Sequence, residues 1–273
     1  MKRLISYAIL FVSMLVSCAH RSGHRINSLV SSEIQEQGID GAQSDNFSND
    51  FCLAIRSDHS NQQIIKRTAY SLSYNSELLI PNWVAWRLTA EHADGDCPRD
   101  NTYYEDEDVC FPKATNEDYK GSGWSKGHMC PAGDNKWDAE AMRESNILTN
   151  ICPQHASLNS GLWNVIERDC RKWAKEYGEL YIVCGPVLLN REHETIGKNK
   201  VVVPEAFFKV ILRMNPKPSS LGFIVRNNEG KKKRDQYVNT VDDVERITGI
   251  DFFPALPDDV ENEVESNYNL NDW

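Results

Sequence analysis

The sequence predicts an α+β fold, one domain in which strands precede and follow two central helices. Three observations carry that prediction. Strand-like segments lie at 67–89 and again at 179–227, the apolar residues of 162–177 recur at helical spacing, and no internal repeat divides the chain. With 273 residues, 40% of them hydrophobic, and seven tryptophans, the chain is large enough to bury a full core.

The first stretch, MKRLISYAILFVSMLVSC (1–18), reads as an export signal. Lys2 and Arg3 form a basic leader, and Leu4 to Val16 make an apolar run too short for a comfortable membrane span. The run closes in Leu15-Val16-Ser17-Cys18, which resembles a bacterial lipobox. Residues 1–17 are therefore expected to be a lipoprotein-type signal peptide, with Cys18 carrying the lipid and contacting the membrane. The alternative is an ordinary signal peptide with a chance cysteine. Either way the protein is expected to be exported, held at a bacterial cell envelope or secreted. Residues 18–50, rich in Ser, Gln, Asn, Gly and Asp, read as a flexible tether, leaving 51–273 as a single folded domain.

Within that domain, RTAYSLSYN (67–75) alternates apolar and polar residues. A turn at Pro81-Asn82 would lead into WVAWRLT (83–89), giving a hairpin. Residues 91–120 form a long acidic loop without a clear element. WDAEAMRESNIL (137–148) suits a helix. Leu162, Ile166, Cys170, Trp173 and Tyr177 form the stripe of a second, amphipathic one. ELYIVCGPVLL (179–189), VVVPEAFFKVIL (201–212) and LGFIVRN (221–227) are strand-like. VDDVERITGI (241–250) reads as a helix ended by Gly249, and the acidic tail from Pro257 to Trp273 has room for another short one.

Charge narrows the function. Forty acidic against thirty basic residues give a formal charge of -10, so the chain as a whole does not attract phosphates. Any nucleic acid must be met through a local basic groove or a metal ion. RNNEGKKKRDQ (226–236) concentrates basic residues, as either a phosphate contact or a solvated turn. Beyond Cys18 the cysteines are Cys52, Cys97, Cys110, Cys130, Cys152, Cys170 and Cys184. In an oxidising compartment a disulfide is expected, first between Cys97 and Cys110, which flank the acidic loop.

Chemistry-bearing residues gather between 125 and 167. SKGHMC (125–130) sets His128 behind Gly127, and NILTNICPQHASLNSGLWNVIE (146–167) places Asn146, Asn150, Asn159 and Glu167 among apolar neighbours. Ser157 or Asn159 suits the N-cap of the amphipathic helix. Glu167 would lie about 12 Å along the axis from Asn159 and about 80° round it, close enough to meet through water. His128-x-Cys130 with Cys152-x-x-His155 also has the spacing of a structural zinc module. That alternative leaves the asparagine run and Glu167 without a role.

SKGH (125–128), NILTNICPQ (146–154) and LNSGLW (158–163) followed by Glu167 resemble, in order, the DRGH box, the N-x-x-x-N-x-x-P-Q run and the L-N-x-G-x-W-plus-glutamate element of the DNA/RNA non-specific endonucleases, the ββα-metal nucleases. The resemblance spans about residues 67 to 255. It implies a central antiparallel sheet with flanking helices, a ββα-metal finger active site, and metal-dependent, sequence-non-specific cleavage of DNA and/or RNA. It makes His128 the general base, Asn159 the ligand of Mg²⁺ (or Mn²⁺), and Glu167 a residue acting on the metal through water. Asn150 would assist catalysis, and Asn146 would contact substrate or orient the histidine. The family's Asp-Arg is Ser125-Lys126 here. Lys126 can still neutralise a phosphate, but as a point charge rather than a bidentate fork. RDNTYYED (99–106) loosely fits an upstream phosphate-binding arginine motif, nominating Arg99. An inactive, lipid-anchored nucleic-acid-binding descendant is the remaining alternative.

Overall fold

Pairing runs antiparallel across a seven-stranded sheet, onto which the rest of the domain is built from both faces. The computed structural model describes Arg56–Ser57, residues 62–228 and residues 231–273. The signal peptide, the tether, Cys18 and Cys52 lie outside the described residues. Those residues belong to one compact unit, Ala42–Trp273.

In chain order the strands and helices are β1 (Arg56–Ser57), β2 (Gln63–Lys66), β3 (Ser71–Asn75), β4 (Ile80–Thr89), α1 (Ala90–Ala93), α2 (Asn116–Tyr119), β5 (Ser125–His128), α3 (Ala139–Ser145), β6 (Ile151–Gln154), α4 (Ala156–Leu158), α5 (Asn164–Tyr177), β7 (Glu179–Val187), β8 (Thr195–Ile196), β9 (Val201–Val202), β10 (Ala206–Arg213), β11 (Ser219–Arg226), β12 (Val238–Asn239), α6 (Val241–Thr248), β13 (Ile250–Asp251) and α7 (Asp258–Ser266). The main sheet runs β12-β11-β10-β7-β4-β3-β2, while β5 and β6 form a separate two-stranded ribbon.

The central strands are buried on both faces, which explains why 179–189 and 201–212 read as continuous apolar runs. One face, with Leu72, Val84, Ile182, Phe207 and Ile211, packs under α5 and the β5–β6 ribbon. The other, with Ala85, Val183, Phe208 and Val210, packs against Val241, Val244 and Val264 of α6 and α7. Each fully buried Phe or Ile contributes roughly 1.5–3 kcal/mol.

Most expected elements are present, with shifted edges. The hairpin forms between β3 and β4, but its turn precedes Ile80, and Pro81 and Asn82 lie inside β4. Asn75 makes that turn itself, its Oδ1 accepting from Glu77 and Leu78 N–H groups. Pro81 is tolerated because β4 pairs with β7 only from Val84 onward. VVVPEAFFKVIL divides at Pro204-Glu205 into β9 and β10. Asp138 caps α3, Thr240 caps α6, and Gly249, at φ 69°, ends α6 in the left-handed region.

The acidic loop is tied down rather than loose. Asp106, 3% exposed, accepts from Arg67 Nη2 on both carboxylate oxygens at 2.7 Å and from Thr149 Oγ1 at 2.5 Å. Its carbonyl accepts from Lys113 Nζ. The expected Cys97–Cys110 disulfide is corrected: both are free thiols. Cys97 is held by its N–H on Lys136 O, while Cys110 follows a turn fixed by Arg67 on Asp108, so the two ends are anchored to different parts of the domain. Cys130, Cys152, Cys170 and Cys184 are buried and free as well.

Candidate active site

The ribbon, the loop after it and the start of α5 enclose a cavity of about 230 Å³ lined by Arg99, His128, Asn159, Asn164, Glu167 and Arg171, with Pro131 to Gly133 on one wall. Residues separated by up to 72 positions thus meet (171 − 99 = 72).

His128 ends β5, whose register sets Gly127 opposite Cys152 and His128 opposite Ile151. Glycine at 127 is required by close approach. A Cβ there would stand 2.5 Å from Gln154 Cβ and Oε1, so the glycine of SKGH and the glutamine of NICPQ form one packing unit. Beyond His128 the chain is clamped by Asn150, which is fully buried. Its Oδ1 accepts from Cys130 N–H at 2.9 Å, and its Nδ2 donates to the carbonyls of Cys130 and Ser145.

Asn159 sits at a kink. The turn Asn159–Trp163 is wider than an α-helix, and Gly161 leaves helical geometry at φ −98°, ψ −112°. Asn159 does not cap the helix; the cap of α4 is His155, whose Nδ1 accepts from Ser157 N–H. The kink replaces the regular helical path between Asn159 and Glu167, and both still line the one cavity.

His128 is 7% exposed, and its Nε2 lies 2.8 Å from Asn146 Oδ1. Asn146 Nδ2 donates to Asp100 O at 2.9 Å, which fixes the amide with its oxygen toward the ring. The imidazole must then carry its proton on Nε2, leaving the Nδ1 lone pair as acceptor. Burial lowers His128 to about 4, with Arg99 adding to the effect, so the ring is neutral at pH 7. Glu167 is pushed the other way, up to about 7, because burial outweighs the attraction of Lys209 and Arg171. Beneath it Lys209, 1% exposed, lies 4.8 Å from the Trp86 ring centroid and 5.0 Å from that of Trp163. Asp134 receives Arg171 Nη1 at 2.7 Å and Trp86 Nε1 at 3.1 Å, joining α5 to the sheet.

The donor set facing the cavity fits a hard cation. It pairs the Asn159 amide with the Glu167 carboxylate, which has no hydrogen-bond or ion-pair partner among the described residues.

Of the sequence-predicted residues, Arg99, His128, Asn159 and Glu167 meet in the cavity. Three do not. Asn150 is consumed in backbone bonds, so it holds the loop rather than acting on substrate. Asn146, 1% exposed, touches His128 and Asp100 rather than solvent, the geometry of the histidine-orienting alternative rather than of a substrate contact. Lys126 rests its Nζ 4.6 Å over the Tyr103 ring and 5.5 Å over that of Tyr119, outside the cavity lining. The zinc alternative is overturned: among the described residues His128, Cys130, Cys152 and His155 do not converge as a ligand group. Sequence reasoning missed Asn164 and Arg171. Both were signalled by spacing, three before and four after Glu167 on one helix face.

Comparison with known proteins agrees with this geometry. The DNA/RNA non-specific endonuclease family model matches residues 49–259. Nuclease EXOG, mitochondrial, of Mus musculus is 36% identical over 208 residues, covering 69% of this chain and 56% of that protein. Endonuclease G, mitochondrial, of Bos taurus is 32% identical over 209 residues, covering 71% of this chain and 70% of that protein. The chain thus spans a little over half the length of nuclease EXOG. The solved EndoG/EndoGI complex, which concerns inhibition of EndoG, superposes with a TM-score of 0.67 at 28% identity, over 71% of this chain and 86% of that one. A ribbon that ends in His128, followed by a helix that carries Glu167, is the ββα arrangement the resemblance implied, and the chain belongs to the DNA/RNA non-specific endonuclease family.

Proposed function

We propose that the protein is a metal-dependent, sequence-non-specific endonuclease acting on DNA and/or RNA. The observation that carries this reading is the convergence of a neutral, oriented histidine with an amide, a carboxylate and two arginines in one cavity. Such a set matches what phosphodiester hydrolysis requires.

Asn159 and Glu167 would hold Mg²⁺ or Mn²⁺. When bound, the ion supplies positive charge to the phosphoryl oxygens and to the leaving alkoxide. His128 Nδ1 accepts the proton of the attacking water, while its Nε2–H stays on Asn146. Arg99 and Arg171 offer their guanidinium groups to the phosphate. Arg171 keeps Nη1 on Asp134, so its position is set before substrate arrives.

Digestion of plasmid DNA and of RNA by the purified protein, with and without Mg²⁺ and beside His128→Ala, tests the proposal. Cleavage that needs the ion and is lost in the variant is the expected result. A well-folded wild-type chain that binds nucleic acid but never cleaves it would instead support the inactive descendant.

We further propose export and lipid anchoring through Cys18, supported by the basic leader, apolar run and lipobox-like Leu15-Val16-Ser17-Cys18. The names of the mammalian relatives place those proteins in mitochondria. Detergent partitioning of Cys18→Ala against wild type in a bacterial host tests the anchor: loss of membrane association in the variant is expected.

A further inference from the structure

A second group of acidic side chains lies on the face of the sheet opposite the cavity. Asp242 and Glu245 of α6 and Glu265 of α7 each bring a carboxylate oxygen within 4.8 Å of the others. The group is graded in burial: Asp242 is exposed, Glu245 half-buried and Glu265 only 7% exposed. None of the three has an ion-pair partner among the described residues; Arg246 turns away to Asp243. The charges acting on Glu265 are further carboxylates, those of Glu245, Glu261, Asp242 and Asp251.

An acidic cluster alone implies nothing, because exposed carboxylates share solvent cheaply. Glu265 is different. Its Oε1 is buried and has no hydrogen-bond partner among the described residues. Burying an unmatched carboxylate oxygen beside other carboxylates is costly, and proteins compensate such groups with hydrogen bonds or a bound cation. Glu245 Oε1 already accepts from Phe252 N–H at 2.7 Å, which aims the rest of its carboxyl. Ser220 Oγ on Val264 O and the packing of Val264 hold α7 in place, so the cluster is braced on the sheet.

We propose that Asp242, Glu245 and Glu265 form a divalent-cation site, distinct from the catalytic cavity, that fastens α7 to α6. Three carboxylates graded from exposed to buried suit Ca²⁺, which accepts irregular sets of six to eight oxygens, better than Mg²⁺, which demands a near-ideal octahedron. The rival arrangement is a proton-sharing cluster. Burial and mutual repulsion push Glu245 up to about 7 and Glu265 up to about 8, so protons can occupy the same space.

The test uses the purified chain at pH 8 after chelator treatment, titrated with CaCl₂ and with MgCl₂ while thermal unfolding and heat of binding are recorded. An ion bound only by the folded state raises Tm by about 5 °C or more at a hundredfold excess over Kd. That rise is expected with Ca²⁺ in wild type and in Asn159→Ala, where the catalytic ligand is gone. It is expected to vanish in Glu265→Gln, and in the exposed Asp242→Asn should the first variant fold poorly. Both variants are expected to keep wild-type nuclease activity in excess Mg²⁺. Two results would overturn the site: no Ca²⁺-dependent rise in wild type, or a rise that Asn159→Ala removes and Glu265→Gln leaves intact.

Discussion

Asn146 holds His128 by a 2.8 Å contact to Nε2 while donating at 2.9 Å to the carbonyl of Asp100. Because the amide is oriented from behind, the ring has one tautomer, with Nδ1 as the free acceptor. His128→Ala is expected to abolish cleavage with little change in Tm or Mg²⁺ binding. Asn146→Ala is expected to lower kcat by about 10²-fold with KM nearly unchanged, since it disorders the base and not the phosphate contacts. Steady-state kinetics on a defined oligonucleotide, with circular dichroism as fold control, check both.

Under the proposed function, Glu167 is expected to make metal binding pH-dependent. Its folded value of about 7 means the ion-free protein holds a proton there on the acid side, and the cation must displace it. Apparent Mg²⁺ affinity is therefore expected to fall as pH drops through 7 and to level off above about 8. His128, at about 4, does not set this limb. Calorimetry in buffers of different ionisation enthalpy reads the released proton directly. Glu167→Gln is expected to remove that proton release along with most activity.

Lys126 and Arg99 are expected to separate. Lys126→Arg should change kcat/KM by no more than about twofold, because the amine lies over Tyr103 and Tyr119 instead of in the cavity. Arg99→Ala should raise KM and shallow the salt dependence of substrate binding, as expected for one lost phosphate contact. Filter binding across a salt series, beside the kinetics, distinguishes the two.

Gly127→Ala is expected to destabilise the domain by about 1–3 kcal/mol through overpacking on Gln154. Chemical denaturation measures it. Pairing it with Gln154→Gly should recover part of the loss, since the Cβ and the amide that the new methyl would meet are then both gone.

The fold was legible where the physics is local. Leu162 to Tyr177 gave α5 by period alone, and Gly249 marked the end of α6. The cavity was legible only as segments. The family resemblance named His128, Asn159 and Glu167, but it could not tell that Asn150 spends its amide on backbone groups or that Lys126 lies across two tyrosines. Those outcomes depend on long-range packing. Asp134 and Lys209 were invisible for the same reason: a buried charge inside an apolar segment acquires meaning only when Arg171, Trp86 and Trp163 arrive from elsewhere.

The anchoring of Asp106 by Arg67 and Thr149 reaches further than stability. It secures the same acidic loop that carries Arg99 and the Asp100 carbonyl, so a stretch that looks like a dispensable insertion belongs to the machinery of the base. Under the proposed function, a single proteolytic nick between Asp96 and Cys110 is expected to disarm the histidine without altering any side chain that performs chemistry. On the same reading, that loop is a point at which activity could be switched off from outside.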